Sequence, residues 1–300
     1  MEQKKYMDIV RLGHKTTVGV LNEGDWIVIQ EKLDGANASF RKGENGEILA
    51  FSRNNPLNES SNLGGFWQWT QTLDPDLLLP NIVYFGEWLN PHKVKYPEYT
   101  KQFFLYDLYD TNTERYLDFN RVKDAHRMLG VNLIPVFYEG EYKGFEHLQS
   151  FVGKTALGGK LGDIDTGEGV VAKNVSYISR HGRQMFVKLV TDAFREVQKQ
   201  KAPKDPKVEQ IQEQVFVSST MTEARVEKML YKLVDEGILS EGKFEIEDMG
   251  IILRHMGGRM FDDIMKEESE MLPADYDVNQ IKKAIGRNVA QIVKNIIAKQ

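Results

Sequence analysis

The 300-residue chain has no cysteine, so a disulfide scaffold, a thiolate zinc site and a cysteine nucleophile are excluded. It also lacks any run approaching the roughly 18 apolar residues that a membrane-spanning helix needs. Its opening, MEQKKYMDIV, has no apolar core of a secretory signal. A soluble, cytoplasmic protein with no membrane partner is the expectation. An excess of positive charge is missing too: 39 basic side chains face 44 acidic ones, for a net charge of -5. Composition therefore gives no general pull toward nucleic acid, and any polyanion must be held by a local patch. The six histidines show no metal-ligand spacing, so no separate structural metal is expected.

What is present is 41% hydrophobic residues, enough core for one large domain or for a large one and a small one. From about residue 16 to 190, segments such as DWIVIQEKL, NIVYFGEWL, QFFLYDLYD, GVVAKN and QMFVKLV alternate with turn clusters. Lys42-Gly43-Glu44-Asn45-Gly46 reads as a hairpin turn, and helical patterns fall near 63–73 and 119–129. The mixture predicts an α+β domain built on antiparallel pairs. The stretch QKQKAPKDPK, 198–207, reads as a solvated linker, and beyond it the strand patterns stop. Thr220-Met221-Thr222-Glu223 has the spacing of a capping box, and Val226, Met229, Leu230, Leu233 and Val234 recur on one helical face. With further helical patterns over 246–265 and 278–298, the expected division is an α+β domain at 1–203 and a small all-helical domain at 204–300. A monomer is the default.

One stretch asks for chemistry. VIQEKLDGANASF, residues 28–40, places Lys32 where a β-branched strand runs into a turn. Lys-x-Asp-Gly arises by chance in roughly one chain of this length in fifteen, at ordinary usage of ~5–7% per residue type, and an isolated match is a solvated turn. Here five further elements follow in order: Ser52-Arg53-Asn54, Phe85-Gly86-Glu87-Trp88, Phe103-Phe104-Leu105-Tyr106-Asp107, Glu168-Gly169-Val170-Val171-Ala172-Lys173 and Phe186-Val187-Lys188-Leu189-Val190. The set resembles the covalent nucleotidyltransferase superfamily of ATP-dependent ligases and capping enzymes. The resemblance covers the whole first domain and implies its nucleotidyltransferase fold, ATP-grasp-like in its antiparallel sheets.

The residue types suit the implied chemistry. A lysine amine is protonated at neutral pH and needs neighbouring cations or desolvation before it can attack; Lys188, Lys173 and a bound metal are expected to supply that field. Attack on the α-phosphate of ATP would give a lysyl-AMP and release pyrophosphate, with Mg2+, or Mn2+ in its place, neutralising charge. By resemblance, Lys32 is the nucleophile, Glu87 binds ribose, Glu168 supports metal and nucleotide, and Tyr106 stacks on adenine. Glu31, Asn37, Lys173 and Lys188 complete the implied nucleotide site, and Arg53 grips the 5′-phosphate of a polynucleotide end.

The helical second domain, in place of a β-barrel, looks like the RNA ligase 2 family, which seals 3′-OH/5′-phosphate nicks in duplex RNA. RNA is then the implied partner, and the basic residues Lys282, Lys283, Arg287, Lys294 and Lys299 offer a stripe for its phosphates. The chain departs from that family in two places. Asp34 stands where histidine is common, and Lys188-Leu189-Val190 has one lysine where two are usual, so that Lys173, Arg180 or Arg183 would have to substitute. Two other readings stay open: a DNA ligase with a helical tail, and a non-catalytic nucleic-acid-binding relative.

Overall fold

Strand β2 (Trp26–Lys32) is buried on both faces because it runs inside a sheet covered from both sides. Its side chains alternate with a period of two: Ile27 and Ile29 point one way and Val28 the other, all of them buried. These positions come from a computed structural model that describes residues 3–195 and 212–300. The chain forms two compact units, Met1–Thr191 and Asp192–Gln300. The linker expected at 198–207, and the division expected after 203, lie outside the described residues.

The first unit contains two sheets. The first runs in the order β1 (Val10–Arg11), β13 (Phe186–Val190), β12 (Gly169–Lys173), β2 and β9 (Val136–Glu141). The second runs β4 (Ile48–Ser52), β3 (Ala36–Lys42), β5 (Ile82–Trp88), β6 (Phe103–Asp110) and β7 (Arg115–Tyr116), with β8 (Asn132–Leu133) beside β6. A small hairpin joins β10 (Lys160–Leu161) to β11 (Ile164–Asp165). The α+β reading holds, and the 42–46 turn does join β3 to β4. Two of the ladders, β1 with β13 and β6 with β8, are parallel.

Each sheet has one face on a hydrophobic layer. Ile27, Ile29, Val170, Ala172 and Val187 pack with Leu148 of α3 (Phe145–Gln149). Ala38, Phe40, Tyr84 and Leu105 pack under α1 (Phe66–Thr70) and α2 (Phe119–Leu129). Helix α2 has the expected bounds, whereas α1 is shorter than the 63–73 pattern. Leu63, Gly64 and Gly65 take φ of 53, 60 and 97°, which a helix cannot contain. The two remaining faces look at each other across a cleft, and register decides what they carry. On the first sheet Lys32 lies beside Gly169, Gln30 beside Val171 and Val28 beside Lys173, with Lys188 and Phe186 on the far side of Val171 and Lys173. On the second, Asn37 lies beside Glu87, and Glu87 beside Phe104.

The second unit is helical throughout its described residues: α4 (Gln212–Thr220), α5 (Glu223–Asp235), α6 (Met249–Glu267) and α7 (Val278–Ala298), with short 3-10 turns between. None of the described helices is long and apolar enough to cross a membrane. The stripe Val226, Met229, Leu230 and Leu233 is buried in its core, with Val234 packed at the margin. The cap of α5 is Thr222, whose side chain accepts from the Arg225 N–H at 3.1 Å, rather than Thr220. Thr220 ends the preceding helix, where its hydroxyl donates to the Phe216 carbonyl at 2.8 Å. Arg225 is fully buried, with its guanidinium 2.6 Å from both Asp263 and Glu268.

Because removing one partner strands buried charge, Arg225→Ala should destabilise the helical unit by about 3–5 kcal/mol. All four tryptophans lie in the first unit. In urea titrations the far-UV circular dichroism of the helices should therefore move to lower denaturant by more than the tryptophan fluorescence does.

Candidate active site

Strands β2 and β3 are consecutive in the chain but pair in different sheets. Leu33, Asp34 and Gly35 carry the backbone across, so Lys32 stands at the junction of the sheets and not on a hairpin turn. The Gly35 N–H donates to Glu87 Oε1 at 3.1 Å. A Cβ at Gly35 would lie 2.7 Å from the Trp88 carbonyl oxygen, so only glycine lets the crossing run this close to β5. On the other side Glu168, just before β12, accepts from Lys32 Nζ at 2.5 Å. Asp34 is clamped by the loop after β5: its Oδ2 accepts from the Val94 N–H at 2.8 Å, its Oδ1 lies 3.5 Å from His92 Nδ1, and its N–H donates to the Tyr96 hydroxyl at 3.3 Å.

Three carboxyl groups thus lie around one ammonium. Burial alone would lower the Lys32 amine, but Glu168, then Glu87 and Asp34, outweigh burial and hold it above the ordinary lysine value. Burial raises Glu168 against the pull of Lys32. It pushes Glu87 up to about 8, opposed by Lys32 and His92. Burial also works to raise Asp34, yet the hydrogen bond and charge of His92, the Val94 N–H and Lys32 bring it below the usual carboxylate value. The expected cation field is therefore not what Lys32 meets in this state. Lys188 lies on the cleft face of β13 and acts on Glu168. Lys173 is buried elsewhere, donating to Asp107 Oδ2 at 2.7 Å and the Tyr106 carbonyl at 3.0 Å.

Tyr106 owes its direction to a bulge. Phe85 pairs with Asp107 and Gly86 with Leu105, which leaves Tyr106 as the extra residue, and such an insertion re-aims side chains. Lys173 Nζ lies 5.2 Å from the centre of the Tyr106 ring. The Tyr6 ring is 4.9 Å from it, and the Tyr6 hydroxyl donates to Asp107. Asn37 Nδ2 donates to the Tyr106 hydroxyl. Arg53, one residue past β4, is held by Asp8 at 2.6 Å.

The fold thus gathers Lys32, Glu87 and Glu168 at one point, with Asn37 and Tyr106 on the facing sheet and Lys188 further along the first. Glu31 does not join them. Alternation turns it to the face opposite Lys32, where it is buried and accepts from the Ala156 N–H at 2.8 Å; the period of two in β2 carried that signal. The motifs drew no attention to Tyr6, Asp8 or His92, and Asp107 entered only as the neighbour of Tyr106. A buried lysine demands a carboxylate, so the Asp107 role had a signal once Lys173 was known to be buried. Tyr6 and Asp8 lie in a segment without regular pattern and had none.

The family model for RNA ligase matches residues 25–190. Similar solved structures include Naegleria gruberi RNA ligase with PPi, at 18% identity and TM-score 0.45, covering 64% of this chain and 57% of that one. Mutants of the same ligase with ATP and Mn (17%, TM-score 0.45, 64% and 57%) and with AMP and Mn (16%, TM-score 0.44, 64% and 56%) are also similar. The chain thus spans less than two thirds of those structures. No curated protein matches it. The matched stretch runs from β2 through β13 and takes in more than half of the residues, and on that ground the chain belongs to the RNA ligase family.

Proposed function

We propose that this chain is an ATP-dependent RNA ligase that joins a 3′-OH to a 5′-phosphate at nicks in duplex RNA, by way of a lysyl-AMP on Lys32. The observation that carries the reading is Lys32 at the junction of the two sheets, 2.5 Å from Glu168, in a cleft that also presents Glu87, Tyr106 and Lys188.

Among the described residues no cluster of three or more acidic, histidine or cysteine side chains is arranged to hold a metal alone. The oxygen donors nevertheless suit Mg2+ or Mn2+ that shares its coordination with substrate phosphates and water, and Glu168 is the residue that would hold it. Bound there with ATP, the cation would neutralise charge on the phosphates. With Glu168 holding such a cation, Lys32 would be without its nearest carboxylate and would give up its proton more easily. Lys32 Nζ then bonds to the α-phosphorus as the bond to the bridging oxygen breaks and pyrophosphate leaves. A 5′-phosphate oxygen next displaces the lysine nitrogen, giving an adenylylated end, and the 3′-OH displaces AMP to form the phosphodiester.

Other side chains position the reactants. Tyr106, fixed by Asn37, Tyr6 and Lys173, offers its ring to adenine, and Glu87 offers its carboxyl to ribose. Lys188 faces the phosphates. Arg53 receives the 5′-phosphate of RNA in exchange for Asp8, a trade of one charge-assisted bond for another. Helix α7 exposes Lys283, Arg287 and Lys294, which fall within one face at 100° per residue, as contacts for RNA phosphates.

Intact mass after incubation with ATP and magnesium should rise by one AMP in the wild type and not in Lys32→Ala; an unchanged wild type, already stripped with pyrophosphate, would remove the ligase reading. Nicked duplexes with ribose or deoxyribose on the 3′-OH side then separate RNA from DNA sealing.

The Glu87 carboxyl, raised from 4.5 to about 8, keeps its proton in the folded chain where the unfolded chain has lost it. Its contribution to stability therefore falls as pH rises between those values. Glu87→Gln should lose that dependence, so the thermal midpoint of the variant relative to the wild type should climb from pH 5 to 8.

Replacing Lys283, Arg287 and Lys294 together by glutamine should weaken RNA binding most at low salt. It should also flatten the plot of log affinity against log salt by about 0.7–0.9 per lost phosphate contact.

A further inference from the structure

Glu31 is next to Lys32 in the chain and faces away from it. Its side chain lies on the side of β2 that carries Ile27 and Ile29, and only 1% of its surface is exposed. A carboxyl shut away from water needs hydrogen-bond donors, and it finds them in one short stretch of backbone. Its Oε2 accepts from the Ala156 N–H at 2.8 Å, and the Thr155 hydroxyl bonds the same carboxyl.

Thr155 and Ala156 belong to the connection between α3 and β12, and the two ends of that connection are joined. The Gly167 N–H and the Thr166 hydroxyl donate to the Gly153 carbonyl at 3.2 and 3.3 Å. The Thr166 N–H donates to the Gly159 carbonyl at 2.8 Å, and the Gly159 N–H to the Thr155 hydroxyl at 2.9 Å. At Gly167 the two limbs close on the carboxyl: a Cβ there would lie 2.5 Å from the Lys154 carbonyl oxygen and 3.3 Å from Glu31 Oε1, so only glycine lets them meet. The next residue is Glu168, which is therefore fixed from two directions. On its C-terminal side the sheet holds it, because Gly169 pairs with Lys32 and Val190 and the Glu168 carbonyl accepts from the Thr191 N–H at 3.0 Å. On its N-terminal side the backbone depends on the joined limbs, and these rest on Glu31. The far end of the connection has its own anchor, since Lys95 and Lys160 exchange backbone hydrogen bonds of 2.8 and 2.9 Å. Removing Glu31 thus frees the base of the connection and leaves its tip tied.

We propose that Glu31 is a positioning residue for Glu168, acting through residues 153–167 and without contact to the nucleotide; the proposal rests on the ligase reading above. Neighbouring residues of one strand then share a task from opposite faces. Lys32 meets the Glu168 carboxyl in the cleft, and Glu31 holds from behind the backbone that brings this carboxyl to 2.5 Å from the amine. A reacting constellation tolerates little displacement, so a loosened segment is felt at the chemistry although the altered side chain never enters the cleft.

Hydrogen exchange of the ligand-free full chain, read by mass spectrometry, tests the link without relying on catalysis. Glu31→Ala should lower the protection of amides in 153–168 about tenfold, as one buried hydrogen bond is lost, while β3, β5 and β6 exchange as in the wild type. Adenylylation at saturating ATP and magnesium, followed by intact mass, should slow about tenfold in the same variant. Glu31→Gln keeps an oxygen acceptor for the Ala156 N–H and should bring both quantities to within about twofold of wild type. Glu31→Met, which fills the space without accepting a bond, serves if the alanine variant does not fold, and should behave as alanine does. Wild-type protection of 153–168 in a folded alanine or methionine variant overturns the proposal. Lost protection with an unchanged rate overturns it too, as does a glutamine variant as impaired as alanine. A wild type that takes up no AMP, with the exchange pattern as expected, would remove the ligase reading and leave the support of the Glu168 segment standing.

Discussion

A charged lysine held among three carboxyl groups, in a cleft between two sheets, is the constraint from which the first unit follows. Taking an ammonium out of water is costly unless partners surround it, and here the partners come from separate parts of the chain. Glu168 stands at the entrance to β12, Glu87 near the end of β5, and Asp34 in the crossing itself. Each needs its own support: Gly35 so that the crossing can pass β5, and the Val94 N–H, His92 and the Tyr96 hydroxyl so that Asp34 keeps its charge. Two sheets folded against each other are what bring these pieces to one point.

The buried ammonium of Lys173 does a different job. Lys173 belongs to the first sheet and Asp107 to the second, and neither side chain is open to water. An ion pair in that position gains little net stability, since desolvation consumes most of the attraction. What it provides is geometry. With the Tyr6 hydroxyl on the same carboxylate and the Tyr106 ring beside the ammonium, it fixes the separation of the sheets at the bulge and the tilt of the tyrosine.

Much of this was legible before any coordinates. The period of two marked β2, the period of 3.6 marked α2 and α7 with their observed bounds, and the ordered motifs pointed to Lys32, Glu87, Glu168 and Tyr106. Legibility stopped where function depends on pairing between distant strands. The motifs give Lys32 the wrong sign of neighbour because its surroundings are set by residues 55 and 136 positions onward, Glu87 and Glu168. Glu31 belongs to the nucleotide site by resemblance, yet alternation along β2 turns its side chain to the buried face opposite Lys32. Helix α4 had no stripe to announce it, since Phe216, Val217, Ser219 and Thr220 are all buried.

The contact between Lys32 and Glu168 has a chemical consequence of its own. An ammonium has no lone pair, so Lys32 in this state offers no nucleophile to aldehydes, cyanate or other stray electrophiles that modify amines. For as long as the pair with Glu168 holds, the Lys32 amine is shielded from covalent modification.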